Sequence, residues 1–374
     1  MLYGMQRIME GGTLALDKEI FKNTILDIYQ SYTKKIILRQ AVNEGLVINN
    51  KKHDDQMTLN FTDSIDVTDD ETIDDKFRHM LEFENILAMI EEYEYKKPYR
   101  HFCYFEYTLL DILKIEQLVK DSKVNVFDKK EKKPIDTLEK PTIYLLGDLI
   151  YLKFSYILQN DTGNTIKYVM LAIIDKEKSL LEIRFDRVGI AYKNSHNYYK
   201  NQIESILKYL KENISLEVTN IDFKAVVDYM KSEKDDITIF AQRMTRNGTT
   251  AYLEAYEDET SIIPILGELD SFIEEQKELF EKDDNTKKIR SKLQDFLKEI
   301  EVKSDMPLVK IRMDESGIKF GITHNYKDTE YSLFMLYGEL IGEEMMGNVK
   351  KYIMQCYKEL TNATSAGSIP TGKV

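Results

Sequence analysis

Tryptophan is absent, and cysteine, histidine and proline are scarce, at two, five and six residues in a chain of 374. Each shortage removes a class of protein. Cys103 and Cys356 alone cannot build a disulfide framework, so a reducing, cytoplasmic setting is expected. Two thiols also fall short of a structural zinc site, which takes four Cys or His ligands at close spacing. The histidines (His53, His79, His101, His196, His324) are scattered and form no metal-binding pair. No apolar run approaches the ~20 residues that span a bilayer, so no membrane partner is expected. The opening MLYGMQRIMEGG lacks the apolar core of a secretory leader. No phosphate-binding GxxxxGK[ST] loop, no GxGxxG turn opening a βαβ unit and no GxSxG elbow is present.

Positive charge is also in deficit. The formal net charge is −13, which argues against coating a nucleic-acid backbone, since that requires phosphates to be neutralised. A local basic site or an acidic docking surface remains compatible with it.

What is present is an ordinary globular composition, 43% hydrophobic and 31% charged. The pattern is α+β: antiparallel strand meanders flanked by amphipathic helices, with a largely helical N-terminal region. The clearest strands lie in residues 141–188. Residues 143–158 are rich in aromatic and β-branched side chains and are broken once, at Gly147-Asp148. Residues 166–174 are almost continuously apolar, as in a strand covered on both faces. Residues 180–188 alternate, with Leu181, Ile183 and Phe185 on one face and Glu182, Arg184 and Asp186 on the other. Short links exclude crossover helices, so the meander is antiparallel.

Helical spacing of apolar residues predicts amphipathic helices over 17–40, 75–93, 195–213, 222–231, 261–282, 286–302 and 339–360. In the helix over 286–302, the residues Ile289, Leu293, Phe296, Leu297 and Ile300 are expected to be buried. Residues 237–256 read as a hairpin closed by Asn247-Gly248 in a type I′ turn. Strands are also predicted over 308–313, 318–324 and 331–337. The charged, proline-bearing segment 129–140 suggests a boundary. The expected divisions are 1–135, a mainly helical region with an acidic loop at 54–75; 141–232, the β-meander plus helices; 236–361, an α+β region; and a disordered tail at 362–374.

Three functional readings follow. The leading one is a non-catalytic interaction or regulatory subunit with a protein partner. Residues 54–75 hold nine acidic residues and no Lys or Arg, which suits docking. An abundance of Lys, Asn, Ile and Tyr suggests a bacterial source with AT-rich coding, and with it a phage-defence or mobile-element setting. The second reading is a metal-dependent nuclease similar to the PD-(D/E)xK type. There Asp175 and Glu182 would hold Mg²⁺ and Arg184 would stand in the lysine position. Arg cannot give up a proton at ordinary pH, which counts against it; without that activity no cofactor is expected. The third is a nucleic-acid-binding module using Arg243 and Arg246 at the hairpin tip, and Arg100 within the aromatic run 99–107.

Overall fold

The computed structural model describes residues 13–50, 65–68, 71–255, 266–302, 304–340, 342 and 344–365, apart from positions 132, 136 and 138. It divides into two compact units, Met1–Asn220 with Glu339–Met346, and Ile221–Gly338 with Gly347–Val374. The class is α+β, as expected.

Unit 1 opens with α1 (Thr13–Ile28) and α2 (Ser31–Asn43). These are two helices where one had been predicted, because the chain leaves helical geometry at Gln30 (ψ 151°). Next come β1 (Val47–Asn50) and β2 (Ile65–Thr68), paired in parallel, then α3 (Ile73–Met80) and α4 (Glu84–Lys96). The Thr72 side chain caps α3 by accepting from the Asp75 amide. Phe21, Ile25, Ile37, Val47, Phe77 and Ile90 lie in one hydrophobic cluster of these elements. Part of the expected acidic loop is therefore strand, with Ile65 and Val67 buried; residues 51–64 and 69–70 lie outside the described residues.

The rest of unit 1 is a sheet with helices. Its elements are β3 (His101–Leu109), α5 (Ile112–Lys120), β4 (Asn125–Val126), β5 (Thr142–Leu146), β6 (Leu149–Gln159), β7 (Thr165–Asp175), β8 (Leu180–Phe185), α6 (Tyr198–Ile214) and β9 (Glu217–Asn220). The strand order is β3-β8-β7-β6-β5-β4, with β9 also paired to β3. Every pair within this set is antiparallel except β4–β5. The expected meander is thus present as β5 to β8, with Gly147 at φ +59° in its first turn. The segment 129–140, read as a boundary, falls inside unit 1. Asn125 and Val126 pair with Thr142 and Ile143 across it, so it is a surface loop closing a parallel bridge.

Unit 2 comprises α7 (Phe223–Glu233), β10 (Ile237–Arg246), β11 (Thr249–Glu254), α8 (Leu266–Glu275), α9 (Lys277–Phe280), α10 (Asp284–Val302), β12 (Asp305–Met313), β13 (Lys319–Thr323), β14 (Leu333–Leu336) and, from Gly347 on, α11 (Glu344–Ser365). The strand order is β11-β10-β12-β13-β14, antiparallel throughout. Asp222 caps α7 by accepting from the Lys224 and Ala225 amides. The end of α11 takes in part of the predicted tail; residues 366–374 lie outside the described residues.

The β10–β11 turn is type I′ as predicted, with Asn247 at φ +49° and Gly248 at φ +76°. Nothing crowds a Cβ at Gly248, so the cost of a side chain there is conformational. Gly248→Val should cost about 1–2 kcal/mol in chemical denaturation. Gly248→Asn, which tolerates positive φ, should lose less than half of that.

His324 follows β13 and is 6% exposed, with Nδ1 3.1 Å from the Ser332 hydroxyl. Burial, followed by the charge of Lys224, lowers its pKa from 6.5 to about 4. The folded state therefore prefers neutral His324, while the unfolded chain takes a proton near pH 6.5. The contribution is present in full above pH 6.5 and is lost as pH falls towards 4, a swing of about 3 kcal/mol. Denaturant unfolding of wild type and His324→Asn at pH 7 and pH 4.5 should show a smaller pH loss in the variant. Equal losses would contradict this.

Candidate interaction surface

The nuclease candidates lie on the meander, and each of the two carboxylates has a cationic partner. Asp175 is buried at the end of β7, opposite Leu180. Its carboxylate accepts from the Lys178 amide at 3.0 Å and pairs with the Lys178 ammonium at 3.3 Å, closing the β7–β8 turn. Glu182 is fully buried, two positions further along β8, opposite Ile173 and Tyr104. Arg184 donates to it at 2.6 Å. Burial works against the guanidinium charge, but Glu182 prevails and raises the Arg184 pKa. Among the described residues, no group of three or more His, Cys, Asp or Glu side chains is placed to hold a metal ion. The alternation of β8 is real, yet its polar face is covered too, because it lies inside the unit.

The arginine candidates are spread out. Arg100 lies in unit 1, where its backbone amide donates to Asp186 at 3.0 Å. The neighbouring Tyr99, Phe102, Tyr104 and Phe105 are buried core side chains and present no ring to a base. Arg243 and Arg246 lie on β10, opposite Tyr252 and Thr249. Three positions apart along a strand, they project from opposite faces of the hairpin. Arg246 Nη1 is enclosed with no hydrogen-bond partner among the described residues. The thiols are also remote from nucleophilic chemistry. Burial raises the Cys103 pKa strongly and pushes Cys356 up to about 11.

Sequence reading missed two arrangements. One is a buried ionic cluster in unit 1. Glu94 on α4 accepts from Lys153 of β6 and Lys167 of β7, both at 3.0 Å. Glu91, one turn earlier, lies 3.5 Å from Lys153 and accepts from the Ile135 amide at 2.8 Å. Lys153 also sits 4.5 Å over the Tyr95 ring, and Lys167 4.1 Å over Phe21. With all four charges buried and partnered, the cluster locks α4 onto the sheet.

The other lies on the surface of unit 2. Helices α8, α9 and α10 form a hairpin tied by Arg290, which donates to Glu274 at 2.7 Å and to Glu281 at 3.2 Å. Ile273 and Leu297 are buried. Against expectation, Ile289 and Phe296 are not, at 52% and 53% exposed. Phe272 and Leu279 stand out similarly, at 52% and 63%. Ile289 and Phe296 are seven residues apart on α10, two helical turns, and form an apolar stripe, while Phe272 on α8 and Leu279 on α9 stand on either side of the break at Gln276. Exposed Glu275 and Glu278 accompany Phe272 and Leu279, and exposed Lys288 and Lys292 accompany the α10 stripe. In the unit 2 sheet, β11 is the edge strand and pairs with β10 alone among the described residues. Its residues are mostly exposed.

No helix among the described residues is long and apolar enough to cross a membrane. No protein-family model matches the chain, and no curated protein matches it.

Proposed function

We propose that the chain is a non-catalytic interaction subunit that docks a protein partner on the α8–α10 face of unit 2. The observation supporting this is four large apolar side chains on one helical hairpin, Phe272, Leu279 and the two-turn stripe of Ile289 with Phe296, each more than half exposed. Large apolar side chains grouped on one face mark an association surface, whereas single scattered ones do not. Completing the burial of each contributes about 1 kcal/mol, before complementary charges set orientation. The partner that fits is an amphipathic helical surface with the same two-turn spacing. It would carry basic flanks towards α8 and α9 and acidic flanks towards α10.

The setting we propose is a bacterial cytoplasm, in a phage-defence or mobile-element system. It rests on the scarcity of cysteine and on the Lys-, Asn-, Ile- and Tyr-rich composition.

Purification from the native host under gentle conditions, with the mass of the complex measured, tests the reading. A stoichiometric protein partner that cross-links to lysines of α10 is expected. A chain that runs alone at 43.9 kDa would contradict it.

A further inference from the structure

A cavity of about 60 Å³ opens in unit 1 beside the α1–α2 joint, walled by α4, β7 and the segment that follows β8. A water needs about 10–15 Å³ of such space, so the cavity takes a group of a few heavy atoms and no nucleotide base. Its walls carry three cations, Lys97, Lys167 and Arg187, against two carboxylates, Glu94 and Asp186. Both carboxylates are already committed. Asp186 accepts from Lys97 at 2.5 Å. Glu94 accepts from Lys153 and Lys167, and also from the Tyr29 hydroxyl at 3.3 Å.

That leaves Arg187, which is exposed at the mouth and has no ion pair or hydrogen-bond partner for its side chain among the described residues. A second unpaired cation stands close by. Lys193 lies 4.5 Å over the ring of Tyr199, whose hydroxyl accepts from the Val188 amide. Burial and then the charge of Arg187 depress the Lys193 pKa. An uncommitted guanidinium on a cavity lined by three cations and two committed carboxylates, with Lys193 adding to the local field, favours an anion there despite the chain's charge of −13.

We propose that this cavity binds a small oxyanion, a carboxylate or a phosphate, with the Arg187 guanidinium gripping it bidentately and Lys193 supplying the second charge. The ligand displaces a few waters and touches the apolar wall of Ile28 and Val188 with whatever short stem it carries.

Calorimetric titration of the full chain with inorganic phosphate and, separately, with succinate tests this, using sodium chloride at matched ionic strength as the control. Saturable binding of at least one is expected, and the better of the two identifies the oxyanion. Arg187 is exposed, so Arg187→Gln should fold normally, as its unfolding midpoint will show, and weaken binding at least tenfold. Arg187→Lys should fall between, keeping the charge and losing the fork. If neither anion binds beyond the chloride control, or if Arg187→Gln binds as wild type does, the site is overturned.

Discussion

Glu94→Ala lowers the thermal unfolding midpoint by about 10 °C. The carboxylate is buried and shared by Lys153 and Lys167, at 3.0 Å from each. Without it, Lys167 loses its 3.0 Å contact to that carboxylate, and Lys153 loses its closer carboxylate and keeps Glu91 at 3.5 Å. Breaking a buried ion pair from one side costs about 3–5 kcal/mol, because the remaining charge stays desolvated. For a unit of this size, each kcal/mol moves the midpoint by roughly 2–4 °C. The same physics fixes the control. Neutralising the whole group, as Glu91→Gln and Glu94→Leu with Lys153→Met and Lys167→Met, should recover much of the loss, since no charge is then stranded and the side-chain amide at position 91 can still accept from the Ile135 amide. If Glu94→Ala melts within a degree of wild type, the cluster does not hold α4 to the sheet.

Ile289→Glu combined with Phe296→Glu weakens partner binding at least a hundredfold and leaves folding intact. Both residues are more than half exposed, so stability should change by no more than about 1 kcal/mol. At an interface the balance differs. Each substitution removes an apolar anchor and puts a carboxylate where water is excluded, and such changes at an interface centre typically cost 2 kcal/mol or more. A hundredfold is about 2.7 kcal/mol, within the reach of two such changes. Phe272→Glu should act in the same direction. A double variant that unfolds at the wild-type midpoint and still binds at wild-type affinity would remove α10 from the interface.

The local geometry was legible where the chain's chemistry is local. Asn247-Gly248 announced a type I′ turn because both positions need positive φ, and both have it. The β5–β8 meander was legible from β-branched and aromatic runs with short links. Burial was less so. Ile289 and Phe296 fall on the same periodic pattern as Leu297, which is buried, and periodicity shows that a helix has an apolar face without showing what meets it. The polar face of β8 illustrates the converse, since alternating charge reads as solvent-facing until Glu182 proves buried against Arg184.

The ionic cluster left no signal at all. Lys153 sits in an apolar strand some sixty residues from Glu91 and Glu94, and no spacing rule connects them. The same holds for the cavity, whose walls come from residues between Thr24 and Gly189. The compact units divide at Asn220, where the sequence offers no proline, glycine or charge run. The lysine-rich segment 129–140 is a loop between paired strands.

Cross-linking mass spectrometry on the natively purified complex tests the proposed role most directly. The result predicted is a set of cross-links from the partner to Lys277, Lys287, Lys288, Lys292 and Lys298, lost together in the Ile289→Glu, Phe296→Glu variant. Partner cross-links confined to unit 1, or unchanged in that variant, would contradict the assignment of α8–α10 as the docking face.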